Sequence, residues 1–522
     1  MGSYAALSLV FFGLLAYFNA IRHPFVHDDV VFILKNPHIA DISHWYQAFF
    51  MPAAGDGINT YYRPILEILY RLEYFLFGFN PAGFHFFNVL VHITNGLLIF
   101  SLLKRLKVAE HLAWICALFF LIHPVQTEAV SCVAGISNLW MALFVLLALN
   151  AYLKEWYAAS LLCFILAFFS KEQALMLVPL VMVIDYARGR KPLGAWLMWI
   201  LSALGLLWLR QEITGASLSH AITSSQGELY LRLAAIPRVL GMDLRLIFFP
   251  YDLHYYRSTD ILQSNTFSWI AAIVALCALV FIYKRWTEGQ FILILGLGWF
   301  MATLLPVLNI APLINEYSFI LTGEHFLYLP IVGILMIVVF LFDSLPLRLR
   351  EWVLGIMIAS CFMLTWYQNT FWRSEIALFE RMLRYEPNFG RGHLLLAKAY
   401  YFNGKPQLAE DHFRKSYIIM TGYEGKASNE TARNFYLKFT NEILFDWAQN
   451  ESSMGLWKDA LEKLKQAAVT DQRNPAVYNN LAFVYLHLGD RPNAVFNLKQ
   501  ALKVDPSFDQ AKRNLQQLSL QN

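Results

Sequence analysis

Apolar runs of near-membrane length recur along the first 370 residues, and they constrain the fold more than any other feature. After a first run at 4–20 they fall at about 84–103, 110–123, 128–153, 156–169, 173–187, 193–209, 267–283, 290–308, 325–342 and 351–367. A bilayer core demands roughly 20 apolar residues of helix, so the pattern predicts about eleven crossings, several of them short. Only 15% of residues are charged and mean hydropathy is +0.44, which points to lipid as the solvent rather than to a large soluble core. Aromatic residues reach 16%, as interfacial belts require. The small net charge of +4 gives no reason to expect a nucleic-acid partner. Residues 4–20 lack a basic n-region and a clear A-x-A site, so they read as a retained helix and not a cleaved signal. Cys116, Cys132, Cys163, Cys277 and Cys361 all lie in apolar runs without C-x-x-C spacing, which argues against a disulfide framework or a zinc site.

Orientation follows from the basic residues. With the N-terminus inside, Lys104-Arg105-Lys107, Lys154, Arg188-Arg190-Lys191, Lys284-Arg285 and Arg348-Arg350 all fall on the inner face. That solution keeps 212–266 outside and makes the apolar stretch 233–249 re-entrant or interfacial. It also places the C-terminal region outside.

The same bookkeeping gathers the polar interruptions on the outer face. His27-Asp28-Asp29 opens a first outer loop, 21–83, in which Asp41–Tyr46 reads as a capped surface helix and 53–59 as a Gly-containing loop. A carboxylate at a membrane edge costs desolvation energy and two neighbours repel, so the pair asks for a reason. The plainer alternative is a helix cap. His123-Pro124 with Thr127-Glu128, then Ser170-Lys171-Glu172-Gln173, then Pro250–Arg257, and Glu324-His325 at the start of a late helix share that face. Each has a plain alternative as well: a capped helix break at His123 and Glu128, a local Lys171–Glu172 ion pair, and a Glu324 favoured by the helix dipole. Arg63 could snorkel. Read together, Arg63 and Lys171 facing a carboxylate corner suit an anionic lipid headgroup, because guanidinium grips phosphate bidentately.

From about Arg373 the chain becomes charged, soluble and helical, and it repeats. Tyr478, Leu481, Ala482, Tyr485, Gly489, Ala494, Ala501 and Pro506 occupy tetratricopeptide positions. An upstream copy sets Leu444, Trp447, Ala448, Gly455, Ala460 and Ala467 in register, its turn glycine 489 − 455 = 34 residues earlier. A third has Leu396, Ala397, Tyr400, Gly404, Ala409 and Phe413, followed by an insertion at about 420–432. Such repeats stack into a superhelix whose concave face, here within 390–506, binds peptides. Two triplets, Asn429-Glu430-Thr431 and Asn450-Glu451-Ser452, match the N-glycosylation pattern, which also arises by chance.

The order His27-Asp28-Asp29, Tyr62-Arg63-Pro64, Asn88 with His92, His123-Pro124 with Thr127-Glu128-Ala129-Val130, Lys171-Glu172, Tyr328-Leu329-Pro330 and then the repeats resembles one family. It is that of the transmembrane and tetratricopeptide-repeat-containing O-mannosyltransferases, within the C-type glycosyltransferase superfamily. Asn138 stands where relatives often carry a charge. The resemblance implies a membrane domain over 1–370 of C-type glycosyltransferase fold and a tetratricopeptide α-solenoid over 371–522. It implies transfer of a sugar, mannose or another hexose, from a polyprenyl-phosphate carrier to a hydroxyl, most plausibly Ser or Thr of an outer-face protein held by the repeats.

Asp28 and Asp29 would then be catalytic, with Asp28 the base, and Arg63, Lys171, His123 and His325 would meet the donor phosphate. His27, Glu128, Glu172 and Glu324 would support them. Relatives in the superfamily differ in using a divalent cation, so Mg or Mn on Asp28 and Asp29 stays open. The expected setting is a bacterial inner membrane with a periplasmic site, or the ER lumen in a eukaryote. Two other readings stand beside it: the same chemistry on a lipid or glycan acceptor, and a non-catalytic membrane-anchored scaffold.

Overall fold

In a computed structural model the described residues are 2–50, 62–215, 229–257, 290–308, 322–425 and 430–520, with 269, 270, 273 and 284 between. The loop expected at 53–59, most of the apolar run 267–283, Arg285 and Asn429 lie outside them. The chain divides into two compact units, Met1–Ser374 and Glu375–Asn522.

The first unit is built of helices α1 (Gly2–Tyr17), α2 (Pro64–Phe77), α3 (Pro81–Arg105), α4 (Glu110–Ile122), α5 (Thr127–Ser131), α6 (Ile136–Leu153), α7 (Tyr157–Ser170), α8 (Leu177–Ala187) and α9 (Leu193–Thr214), continuing with α10 (Leu229–Phe248), α11 (Gln290–Leu304), α12 (Pro330–Asp343) and α13 (Leu347–Asn369). One apolar core runs through most of them, with Phe120, Leu146, Phe164, Leu180, Trp299 and Ile331 fully buried, and α2 packs through Leu66, Leu69 and Tyr70 into a second cluster with Ile33 and Phe84.

Among the described residues three helices are long and apolar enough to cross a membrane: 81–105, 133–153 and 193–214. A fourth span is possible if the pair Glu110–Ile122 and Pro124–Ser131, bent by 51°, is taken as one. Four more apolar helices are shorter, Tyr4–Tyr17, Tyr157–Ser170, Phe291–Val307 and Pro330–Asp343. The expected run of about eleven full crossings is therefore seen as three clear spans, a bent pair and several short helices. The shortening has a local cause. His123-Pro124, Ser170-Lys171 and Glu324-His325 interrupt the apolar runs, and each lies at or next to a 3₁₀ turn (Pro124–Gln126, Glu172–Met176, Glu324–Leu327). Helix α10 carries Arg238, Asp243 and Arg245 and is not among the spans.

The second unit is all-helical. Helix α14 (Glu375–Tyr385) precedes three hairpins: α15 (Gly390–Phe402) with α16 (Pro406–Glu424), α17 (Glu430–Ser453) with α18 (Trp457–Thr470), and α19 (Pro475–His487) with α20 (Arg491–Val504). Helix α21 (Asp509–Leu520) closes the stack. The turn glycines Gly404, Gly455 and Gly489 all adopt left-handed φ of 69°, 75° and 78°, where a side chain would be strained. Ala397, Ala409, Ala448, Ala460, Ala482 and Ala494 are at most 1% exposed, as close helix approach needs. The insertion at about 420–432 falls where α16 and α17 are longest and partly outside the described residues. Asn450 is fully buried, and its amide donates to Pro406 O and Glu410 Oε2, so the Asn450 triplet is no glycosylation acceptor.

Candidate functional site

The loop between α1 and α2 is held down from two sides. Asn36 and Arg71 both bond Glu67, and Arg71 also donates to Asp41 O at 2.9 Å and His44 O at 3.3 Å, all from buried positions on or against α2. The expected surface helix at 41–46 is a short 3₁₀ turn, Trp45–Phe49, with Trp45, Tyr46 and Phe50 exposed. Asp41 accepts from the Ser43 hydroxyl and from His44 N ahead of the turn, which has no side-chain cap bond.

The two aspartates have separate environments. Asp29 heads a five-residue π-helical turn, Val30–Leu34, but its side chain does not cap that turn. It is fully buried. Oδ2 accepts from Val26 N at 3.1 Å, and Oδ1 accepts from Ala134 N at 2.7 Å and from the Cys132 thiol at 3.4 Å. Burial pushes this carboxyl up to about 7, against the pull of the backbone N–H groups. Cys132, which lies in an apolar run, is thus a hydrogen-bond donor to Asp29. The Asp28 side chain is 37% exposed; its Oδ2 accepts from the Tyr255 hydroxyl at 3.0 Å, and its Oδ1 lies 3.4 Å from His27 Nε2. Asp29 joins the loop to the Cys132–Gly135 turn, and Asp28 is the carboxylate that can meet another molecule.

The basic residues are placed by long-range pairing. Arg63, at the start of α2, forks onto Glu172, with Nε to Oε2 at 3.1 Å and Nη2 to Oε1 at 2.7 Å. Burial opposes ionisation of Glu172, but Arg63 overcomes it and holds the carboxyl at about 2. Arg63 is buried, so it does not snorkel. Nor does the local Lys171–Glu172 bond form: Lys171 Nζ donates to Asn138 Oδ1 at 2.7 Å instead. Asn138, neutral where a charge was expected, is the acceptor that leaves Lys171 without a bound carboxylate. Burial and then the nearby Arg63 charge lower Lys171 to about 7. Arg210 on α9, which sequence reasoning did not pick out because it lies in an apolar run, is buried and close enough to act electrostatically on Glu172. Arg63, Lys171 and Arg210 thus gather around Glu172, with the charge of Glu128 also acting on Lys171.

His325 donates its backbone N–H to Glu128 Oε2 at 2.9 Å, and its Nδ1 lies 2.7 Å from Glu128 Oε1. Glu324 is no simple helix-dipole charge. Its Oε1 accepts from Arg257 Nη2 at 2.9 Å and from His254 N at 2.6 Å, both buried. One sequence expectation is corrected here. His123 has both ring nitrogens committed within the protein: Nδ1 accepts from Val125 N at 3.2 Å, and Nε2 meets Ile247 O at 2.9 Å. It braces the α4–α5 break against α10 and has no nitrogen left for a phosphate. The break is further tied by Asn88 to Cys132 O and by Ser131 to Asn369. His92 and Asn95 both reach the Tyr328 hydroxyl, linking α3 to the Tyr328-Leu329-Pro330 segment.

The corners connect through these contacts. Asp28 meets Tyr255; the Tyr255 loop is fixed by Arg257 and Glu324; His325 meets Glu128, whose charge acts on Lys171; and Lys171 adjoins the Arg63–Glu172 fork. Among the described residues no three His, Cys, Asp or Glu side chains converge as metal ligands. Both Asp29 oxygens face N–H or S–H donors, which a cation would have to displace. Asp29 thus offers a cation no oxygen free of a donor.

Residues 475–508 match the tetratricopeptide repeat model. The protein O-mannosyl-transferase F38B6.6 of Caenorhabditis elegans is 24% identical over 444 residues, which is 80% of this chain and 63% of that protein. TMTC4 of Mus musculus, also a protein O-mannosyl-transferase, is 25% identical over 79% of the chain and 66% of its own length. The chain's homologues over most of its length are protein O-mannosyltransferases. A shorter match, to tmtc2 of Xenopus laevis, is 34% identical over 163 residues, 30% of the chain and 20% of that protein. The chain thus spans a little under two thirds of the nematode and mouse homologues. All three of these homologues are animal proteins.

Proposed function

We propose that the chain is a multi-pass membrane glycosyltransferase of C-type glycosyltransferase fold that moves a hexose, in first place mannose, from a polyprenyl-phosphate carrier to Ser or Thr of a protein. The site faces the outer side of the membrane, periplasmic in a bacterium and lumenal in a eukaryote. The observation that carries the reading is the run of contacts from the accessible carboxylate Asp28 to Glu128, whose charge acts on Lys171 beside the Arg63–Glu172 pair. One end suits deprotonation of a hydroxyl, the other a leaving phosphate. The homologues' names favour mannose and a protein acceptor.

Asp28 takes the proton of the acceptor hydroxyl as its oxygen attacks the anomeric carbon with inversion. The C1–O bond to phosphate breaks, and the lipid phosphate departs with the bonding electrons. Lys171, held by Asn138, and Arg210 supply the positive charge that stabilises it, while Arg63 is locked on Glu172. Phosphate is a good enough leaving group that no second carboxylic acid is required. The concave face of the repeats within 390–506 holds the acceptor.

The test is transfer of labelled mannose from polyprenyl-phosphate-mannose to outer-face polypeptides by the purified full chain. Hexosyl-Ser or hexosyl-Thr is expected with wild type and not with Asp28→Asn. Label appearing in glycolipid alone would move the acceptor from protein to lipid. Equal transfer by wild type and Asp28→Asn would sink the reading.

A further inference from the structure

Among the described residues four non-glycines have left-handed φ: His27 at 51°, Lys107 at 62°, Glu155 at 63° and Tyr256 at 55°. Lys107 and Glu155 each follow the C-terminal cap of a helix, where that conformation is ordinary. His27 and Tyr256 end no helix. One immediately precedes Asp28 and the other immediately follows Tyr255, so the two unusual backbone positions present the two partners of one hydrogen bond to each other. Strained positions persist where the surroundings over-determine them, which directs attention to what they hold.

The surroundings are of that kind. Residues 252–257 are anchored by Glu324, which accepts from His254 N, and by Arg257, which reaches back to Asp252 O at 3.1 Å. Gln368 on α13 bonds Leu253 O at 3.0 Å. The Tyr255 ring stands edge-on to Trp372, centroids 5.9 Å apart, and to His27 at 5.1 Å. Tyr255 is buried, and its hydroxyl is spent on an Asp28 oxygen 227 residues away in the chain.

We propose that Tyr255 is the positioning residue for Asp28, an inference that rests on the glycosyl-transfer reading above. Its hydroxyl ties Oδ2 and fixes the carboxylate plane, so that Oδ1 is the oxygen offered to the acceptor. During transfer the acceptor O–H bond breaks and Oδ1–H forms, the acceptor oxygen bonds C1, and the C1–O bond to phosphate breaks with its electron pair on phosphate. Tyr255 neither gains nor loses a proton. Glu324 and Arg257 act one step further out, by holding the loop that carries Tyr255.

The experiment compares full-length wild type, Tyr255→Phe and Asp28→Asn with polyprenyl-phosphate-mannose and a Ser/Thr peptide pool, reading kcat, donor KM and the stoichiometry of donor binding. Phenylalanine keeps the ring contacts with Trp372 and His27 and removes only the hydroxyl. A loose base is expected to lower kcat by about tenfold to a hundredfold, since small misplacements of a reacting group cost that much. Donor KM should stay within about twofold and binding stoichiometry should be unchanged, because the donor phosphate is met elsewhere. Wild-type kcat in Tyr255→Phe overturns the positioning role while leaving the glycosyl-transfer reading intact. A fall in kcat matched by an equal fall in stoichiometry also overturns it, as that marks damaged protein. Equal turnover by wild type and Asp28→Asn overturns both.

Discussion

Asp28 and Asp29 are neighbours in sequence and opposites in surroundings, so substitutions should separate them. Asp29→Ala leaves the buried Val26 N–H without its acceptor, a loss of about 1–3 kcal/mol for a buried donor. Asp28→Asn replaces a side chain that is 37% exposed and should stay within about 0.5 kcal/mol of wild type. The expected result is a lowered thermal midpoint for the first and an unchanged midpoint for the second, whose turnover falls by about 10²–10⁴-fold. A lowered midpoint for Asp28→Asn with retained turnover would reverse the assignment. The resemblance named Asp28 the base, but the separate surroundings of the pair were not legible in the sequence, because the deciding partners, Ala134 and Tyr255, lie 105 and 227 residues away. Lys171 yields a second prediction. Burial and Arg63 lower it to about 7, so its ammonium is present below that pH and lost above it. Donor KM should be flat below about pH 7 and rise above it. Lys171→Arg should flatten the profile, since guanidinium stays charged throughout. A wild-type KM that is level to pH 9 would remove Lys171 from the donor site.

At the scale of elements, the α5–α6 break depends on a close approach that the sequence marks only as one glycine. A Cβ on Gly135 would stand 2.3 Å from Ala129 O, a backbone atom that cannot swing aside. Gly135→Ala should therefore force the Cys132–Gly135 turn apart at a cost of about 1–3 kcal/mol, the range for overpacking. Because Ala134 N leaves Asp29 in the process, the variant should lose thermal stability and turnover together. Loss of neither would mean that the turn adapts elsewhere. The polar breaks themselves were legible, since His123-Pro124, Lys171-Glu172 and Glu324-His325 stand out against apolar runs. Their pairing was not. Glu172 was set beside Lys171 in sequence, but it bonds Arg63 across 109 residues. Hydropathy showed where α4 and α7 end, while among the described residues three helices are long and apolar enough to cross a bilayer. The solvent of each helix can be read from composition, but its continuity is decided by the turns that interrupt it.

The whole molecule joins two units that owe their order to different physics. The repeats were the most legible part, because a 34-residue period fixes glycine at each turn and alanine at each contact, and local rules then set the hairpins. Each unit has its own core: Phe120, Leu146 and Trp299 in the first, Leu444, Leu464 and Leu481 in the second. Asp28, Tyr255, Arg63 and Lys171 all belong to the first unit. Removing 375–522 should therefore leave donor handling intact and impair only the capture of a large acceptor. With polyprenyl-phosphate-mannose as donor, a chain ending at Ser374 should keep the wild-type donor KM. It should also keep transfer to a short Ser/Thr peptide at saturating concentration. Transfer to folded outer-face polypeptides should fall at least about tenfold, the effect of losing 1.4 kcal/mol of binding. Uniform loss on all acceptors, with the truncated chain still folded, would place part of the catalytic machinery in the repeats. Unchanged transfer to folded polypeptides would show that the repeats serve something other than the acceptor.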